Sequence, residues 1–161
     1  KALEAAFSEA LEELAKMRKS EGLRLGEHLA REISQFKKLV QGISRQVPES
    51  IADYKKRLEG RLAKFKGEVA VEPARLAQEV VFFAERLDIT EELTRLSSHL
   101  DQWQAIINRG EGGRKLEFLL QELGREVNTI GSKSQSAEIS AAIVELKSIL
   151  EKLREQVQNV E

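Results

Sequence analysis

Residues 88–133, DITEELTRLSSHLDQWQAIINRGEGGRKLEFLLQELGREVNTIGSK, decide the fold. Leu93, Leu96, Leu100, Trp103 and Ile107 recur at alternating steps of three and four, and Leu116, Leu120, Leu123, Val127 and Ile130 do the same. That spacing lays one apolar stripe along each of two helices, and the short turn at 109–113 makes them antiparallel neighbours. Asp88 and Glu91 have capping-box spacing, with Asp replacing the usual Ser or Thr, and open the first helix of the pair. The remaining faces are dense with Glu, Arg, His, Gln and Asn, more than a plain helical hairpin requires. Any chemistry is expected there.

Outward from the hairpin, a polar break at 132–136 precedes a last helix with Ile139, Ile143, Leu146, Leu150, Leu153, Val157 and Val160 in a sustained heptad stripe. On the other side, Pro73 suits the first turn of a helix over 73–87, whose Val80, Val81, Phe82 and Phe83 run predicts burial on more than one side. Residues 2–46 read as one long helix. Its two stripes (Leu3, Phe7, Ala10, Leu14, Met17 and Leu29, Ile33, Phe36, Val40, Ile43) are out of phase, with Arg18, Glu21, Arg24 and His28 between them. Pro48 is expected to end that helix, since it disfavours helical backbone at Val47. A new helix then starts at Ser50 and Asp53 and runs to Lys66, closed by Gly67 and followed by a connection at 68–72. The fold class is all-α: an extended helical bundle with long amphipathic helices and a central helical hairpin. Two regions are expected, a long connecting helix at 1–47 and a helical domain at 48–161.

Composition fits this reading. A third of the chain is charged (33%), aromatics make up 5%, and the net charge of −1 gives no bulk evidence for an anionic partner. There is no cysteine, which excludes disulfides and thiolate chemistry and suits a cytoplasmic setting. No apolar run approaches the roughly 18 residues of a membrane span, so no membrane partner is expected. The chain begins inside a helical pattern without Met, which reads as a piece of a longer protein.

The hairpin holds the candidate site residues. Glu122 and Glu126 lie one turn apart with Arg125 and Gln121 beside them, and carboxylates at that spacing can hold a hard cation such as Mg²⁺ or Mn²⁺. A solvated face with intrahelical Glu–Arg pairs is the plainer alternative. His99 follows Arg95 by one turn and Glu92 by two, and could serve as general acid or base, as a ligand, or as a hydrogen-bonded structural residue. Arg114 and Lys115 open the second helix just after Gly112 and Gly113, where free backbone N–H groups favour an anion, although cations there oppose the helix dipole. Asn128 and Lys133 are weaker candidates of the same type. The basic run Lys55, Lys56, Arg57, Arg61, Lys64 and Lys66, against Glu59, could follow a nucleic-acid backbone or simply be a solvated face without an aromatic platform.

The segments DITEELTRLSSHL, GRKLEFLLQELGREVNTIGSKS, AEIS and VELKSILEKLREQVQNVE closely resemble the carboxy-terminal domain of the YicC/YloC family of bacterial proteins, and KMRKSEGLRLGEHL resembles that family's approach to it. The sequence departs from the family's pattern at Glu111-Gly112, Gly124, Val127, Glu117 and Trp103, and Gly124 stands where an amide is usual. The resemblance implies a divalent-metal-dependent endoribonuclease that assembles into hexamers and encloses RNA, with a further amino-terminal domain that this chain lacks. In that reading Glu122, Glu126 and Glu92 place the metal, His99 assists proton transfer, and Arg95, Arg114, Lys115 and Arg125 hold phosphate. The competing reading is a non-catalytic oligomerisation module. It is motivated by the heptad stripes of the first and last helices, which a single bundle would not easily cover.

Overall fold

The computed structural model describes residues 2–64, 73–110, 112–134 and 136–158. Lys66, the Gly67 stop, the connection at 68–72, Glu111 and Val160 lie outside the described residues. Five helices are seen there: α1 (Ala2–Lys64), α2 (Pro73–Leu87), α3 (Thr90–Arg109), α4 (Gly113–Lys133) and α5 (Ala137–Val157). No strand occurs among the described residues. The chain is all-α, as its periodicity predicts.

The middle of α1 joins α3, α4 and α5 in a four-helix core. Leu29, Ile33, Phe36 and Ile43 of α1 are buried with Leu96, Leu100 and Trp103 of α3. From α4 come Leu116, Leu119, Leu120, Leu123, Val127 and Ile130, and from α5 the residues Ile139, Ile143, Leu146, Ile149, Leu150, Leu153 and Val157. Packing is closest between α4 and α5 and between α3 and α4, and α1 closes the bundle against α5 and α3. The stripe of α5 is therefore covered within the chain. That corrects the expectation that it needs a partner, because the middle of α1 supplies the fourth wall.

Pro48 does not end α1. The helix runs unbroken through it, so the expected start at Ser50 and Asp53 is corrected as well. Proline removes the N–H that would satisfy the Ser44 carbonyl and costs about 3 kcal/mol in a helix interior. Tertiary contacts on both sides offset that cost. Ile43 is in the core before the proline, and Tyr54 stacks on Phe83 of α2 after it. Pro48 and Ser44 are both exposed, so water can serve the orphaned carbonyl. The burial of α2 is also narrower than its apolar run suggests: Phe83 is buried, while Val81 and Phe82 are exposed. With α1 as its chief neighbour, α2 has one face to bury and not two.

At the other end, the first stripe of α1 is bare. Leu3, Phe7, Leu14 and Met17 are all at least half exposed. The out-of-phase patch of Arg18, Glu21, Arg24 and His28 is exposed too. Helix α3 opens by a different device from the one expected, since its N-cap position is Ile89 and makes no side-chain cap bond. Instead the Thr90 amide donates to Asp88 Oδ1 at 2.9 Å, one residue earlier than capping-box spacing requires. The Thr90 side chain, and after it this amide bond, hold the Asp88 carboxyl below its ordinary range.

Candidate functional site

The antiparallel register of α3 and α4 brings most of the candidate residues onto one flank of the hairpin. Lys133 Nζ lies 2.7 Å from Glu92 Oε1 and also donates to the Asp88 carbonyl at 2.8 Å. Arg95 Nη1 reaches Glu126 Oε1 at 3.4 Å, and its other terminal nitrogen pairs with Glu91 one turn back. Glu122 pairs with Arg125 along α4 at 3.3 Å. Continuing the register by one turn beyond Arg95 and Glu126 sets His99 at the level of Glu122. The flank therefore reads, from one end, as Glu92 with Lys133, then Arg95 with Glu126, then the level of His99 and Glu122.

Burial separates these groups. Glu92 and Glu126 are each only 6% exposed, uncommon for carboxylates, and each sits against one cation from the facing helix. Two charges held this way are kept in place by the partner, since an unpaired buried carboxylate would be strongly disfavoured. Arg95 is exposed and is held more firmly cationic than an ordinary guanidinium, through its bonds to Glu126 and Glu91. His99 is half-buried. Its Nδ1 and one oxygen of Glu92 are buried without a hydrogen-bond partner among the described residues, as is one oxygen of Glu32 on α1.

The remaining candidates are not gathered there. Asn128 is exposed, and at two residues past Glu126 it points roughly half a turn away. Arg114 and Lys115 lie exposed at the start of α4, about 16 Å along the helix axis from Glu126 by the helical rise. There the N-cap Gly112 makes no side-chain bond, and Gly110 closes α3 in the left-handed conformation at φ 64°. The sequence gives Glu91 only a capping role and gives Glu32 none. The i, i+4 spacing of Glu91 and Arg95 was a readable signal for the first, whereas nothing local marks Glu32.

Among the described residues no three His, Asp, Glu or Cys side chains converge on one point. Glu122 and Glu126 are each engaged by an arginine, Arg125 at 3.3 Å and Arg95 at 3.4 Å. Glu122 is the more reachable of the two, its side chain 21% exposed beside the exposed Arg125, against 8% for Glu126.

A family model described as "Endoribonuclease YicC-like, C-terminal" matches residues 43–161. The chain belongs to the YicC-like endoribonuclease family. The match begins inside the unbroken α1 and takes in the whole α3–α4 flank. A "Probable endoribonuclease YicC" of Clostridioides difficile (strain 630) is 40% identical, over 99% of this chain and 55% of the relative. Another of the same description, from Haemophilus influenzae, is 37% identical over 97% of this chain and 54% of its own length. The chain spans about half the length of these YicC-like relatives. No helix among the described residues is long and apolar enough to cross a membrane.

Proposed function

We propose that the chain is the helical part of a metal-assisted endoribonuclease and that the α3–α4 flank is its RNA-cleaving surface. The observation that carries the reading is the pair of cross-hairpin ion pairs, which fix two buried carboxylates beside a half-buried imidazole and a reachable carboxylate. Membership of the YicC-like family supports RNA as the substrate, in the cytoplasm.

Arg95 and Arg125 are exposed, and each keeps N–H groups beyond those engaged by its carboxylate partner, so each can donate to a phosphate oxygen. Arg114 and Lys115, with the open N-terminus of α4, extend the path for the anionic backbone. When bound, a divalent cation such as Mg²⁺ or Mn²⁺ supplies an activated water and neutralises charge on the phosphate. Glu122 and Glu126 are the residues that would hold it. Since Nδ1 of His99 has no solvent contact, proton exchange with the substrate falls to Nε2, with Glu92 and Lys133 fixing the opposite end of the flank.

Self-association belongs to the same proposal. The bare stripe of Leu3, Phe7, Leu14 and Met17 favours pairing with another copy, and the family resemblance points to a hexamer enclosing RNA. A ring would gather individually weak phosphate contacts into one enclosure. Cleavage of end-labelled RNA by the chain in Mn²⁺ or Mg²⁺, abolished by EDTA, is the expected result. Intact RNA under all metal conditions, with the protein folded, would contradict the proposal.

A further inference from the structure

The basic stretch after Pro48 has an aromatic companion that is invisible along the sequence. Tyr54 of α1 stacks on Phe83 of α2 with ring centroids 3.4 Å apart and planes 7° from parallel. Phe82, next to the stack, is 59% exposed, and a cleft of about 200 Å³ is lined by Tyr54, Glu79, Phe82, Phe83 and Arg86. Phe83 also lines a larger cleft of about 700 Å³ in which Lys56 and Arg57 stand with Glu49, Asp53 and Glu138. Arg57 and Arg61 follow Tyr54 by three and seven residues, which puts them on its face of α1. Lys55, Lys56, Arg57, Arg61 and Lys64 are all exposed, with Glu59 the one acidic residue among positions 55–64. An exposed ring beside a stacked aromatic pair, edged by cations, combines the two elements by which proteins hold unpaired nucleic acid: a stacking surface and a charged track.

We infer that the α1–α2 hairpin is a second RNA-contact surface, separate from the cleaving flank, and that it takes a single-stranded segment. A base stacks on the exposed Phe82 ring, and the phosphates run along Arg57, Arg61 and Arg86. The inference rests on the RNA reading above and deepens it: this surface selects unpaired strands, because a duplex offers no free base faces. Along positions 55–64 five exposed cations stand against one carboxylate, which favours a polyanion over a like protein surface on that stretch of α1, while Glu49, Asp53, Glu79 and Glu138 line the adjoining clefts.

The test is a titration of the chain with a fluorescent single-stranded RNA of about 12 nucleotides and a duplex of the same length, read by anisotropy across a salt series. Phe82→Ala is expected to weaken single-strand binding about 10-fold while leaving the duplex unchanged. Phe82→Trp is expected to keep the affinity and to lose indole fluorescence on binding. Arg57→Gln with Arg61→Gln should lower the salt slope for the single strand by roughly 1.4. If the chain binds RNA and Phe82→Ala binds the single strand as tightly as wild type, the platform is overturned and the RNA reading survives. Failure of the wild-type chain to bind either RNA overturns both. A drop in sedimenting mass in Phe82→Ala, with RNA affinity untouched, would make the patch a protein interface and overturn the platform.

Discussion

Replacing Lys133 with Met probes the hinge of the candidate flank. The ammonium of Lys133 sits 2.7 Å from a Glu92 oxygen and 2.8 Å from the Asp88 carbonyl, tying the end of α4 to the start of α3. At an effective dielectric of about 20, that ion-pair distance corresponds to roughly 6 kcal/mol of gross attraction, most of it offset by desolvation of Glu92. Removing one partner of a buried pair costs about 3–5 kcal/mol. The Lys133 side chain is 34% exposed, so solvent screening reduces the expected loss to about 2 kcal/mol. For a chain of this size that is a fall in Tm of roughly 4–8 °C. Thermal melts of the wild type, Lys133→Met, Glu92→Leu and the double variant give the measurement as a cycle. The double variant should recover most of the loss. A single-variant loss under about 0.5 kcal/mol, or one that Glu92→Leu does not relieve, would refute the pairing as the source of order here.

Other outcomes follow from the same structure. A Cβ added at Gly124 would meet Leu150 at 3.9 Å, an ordinary contact, so Gly124→Ala should stabilise by about 0.5–1 kcal/mol in denaturant melts. At Gly131 the same atom would come within 3.2 Å of Ile143, so Gly131→Ala should gain less or lose stability. Asp88 titrates below its ordinary 3.8 when folded because the Thr90 hydrogen bonds favour the carboxylate. Its contribution is complete above the unfolded value and lost as pH falls through the folded one, so the Tm gap between wild type and Asp88→Ala should be present at neutral pH and shrink in acid. Arg95→Met leaves Glu126 buried without its cation. It should lower both Tm and RNA affinity, and a folded variant with unchanged affinity would take Arg95 out of the phosphate path.

The hairpin was readable in advance because its stripes obey the helical period on both sides of a glycine turn. Leu96, Leu100 and Trp103 were placed in the core by that rule alone, and the structure buries all three. At Pro48 the local preference against helix loses to the tertiary contacts of Ile43 and Tyr54, which hold α1 on either side of it. Phe82 and Val81 are exposed for a related reason: four consecutive apolar residues reveal hydrophobicity, while the number of neighbours decides how many faces are buried. At the site, Arg125 and Glu122 pair as an i, i+3 rule predicts, but Lys133 with Glu92 and Arg95 with Glu126 depend on the register between two helices. Sequence spacing fixes that register only loosely. The stack of Tyr54 on Phe83 spans a connection and leaves no local trace at all.

The central claim is that the acid-lined flank of the α3–α4 hairpin cuts RNA. Its most direct test is the rate at which the chain cleaves end-labelled RNA in Mn²⁺, compared with a Glu122→Gln, Glu126→Gln double variant whose fold is verified by circular dichroism. A fall of about 100-fold or more is predicted, since both the cation's protein donors and the charge that orients Arg95 would be gone. Cleavage by the folded double variant at the wild-type rate would contradict the account.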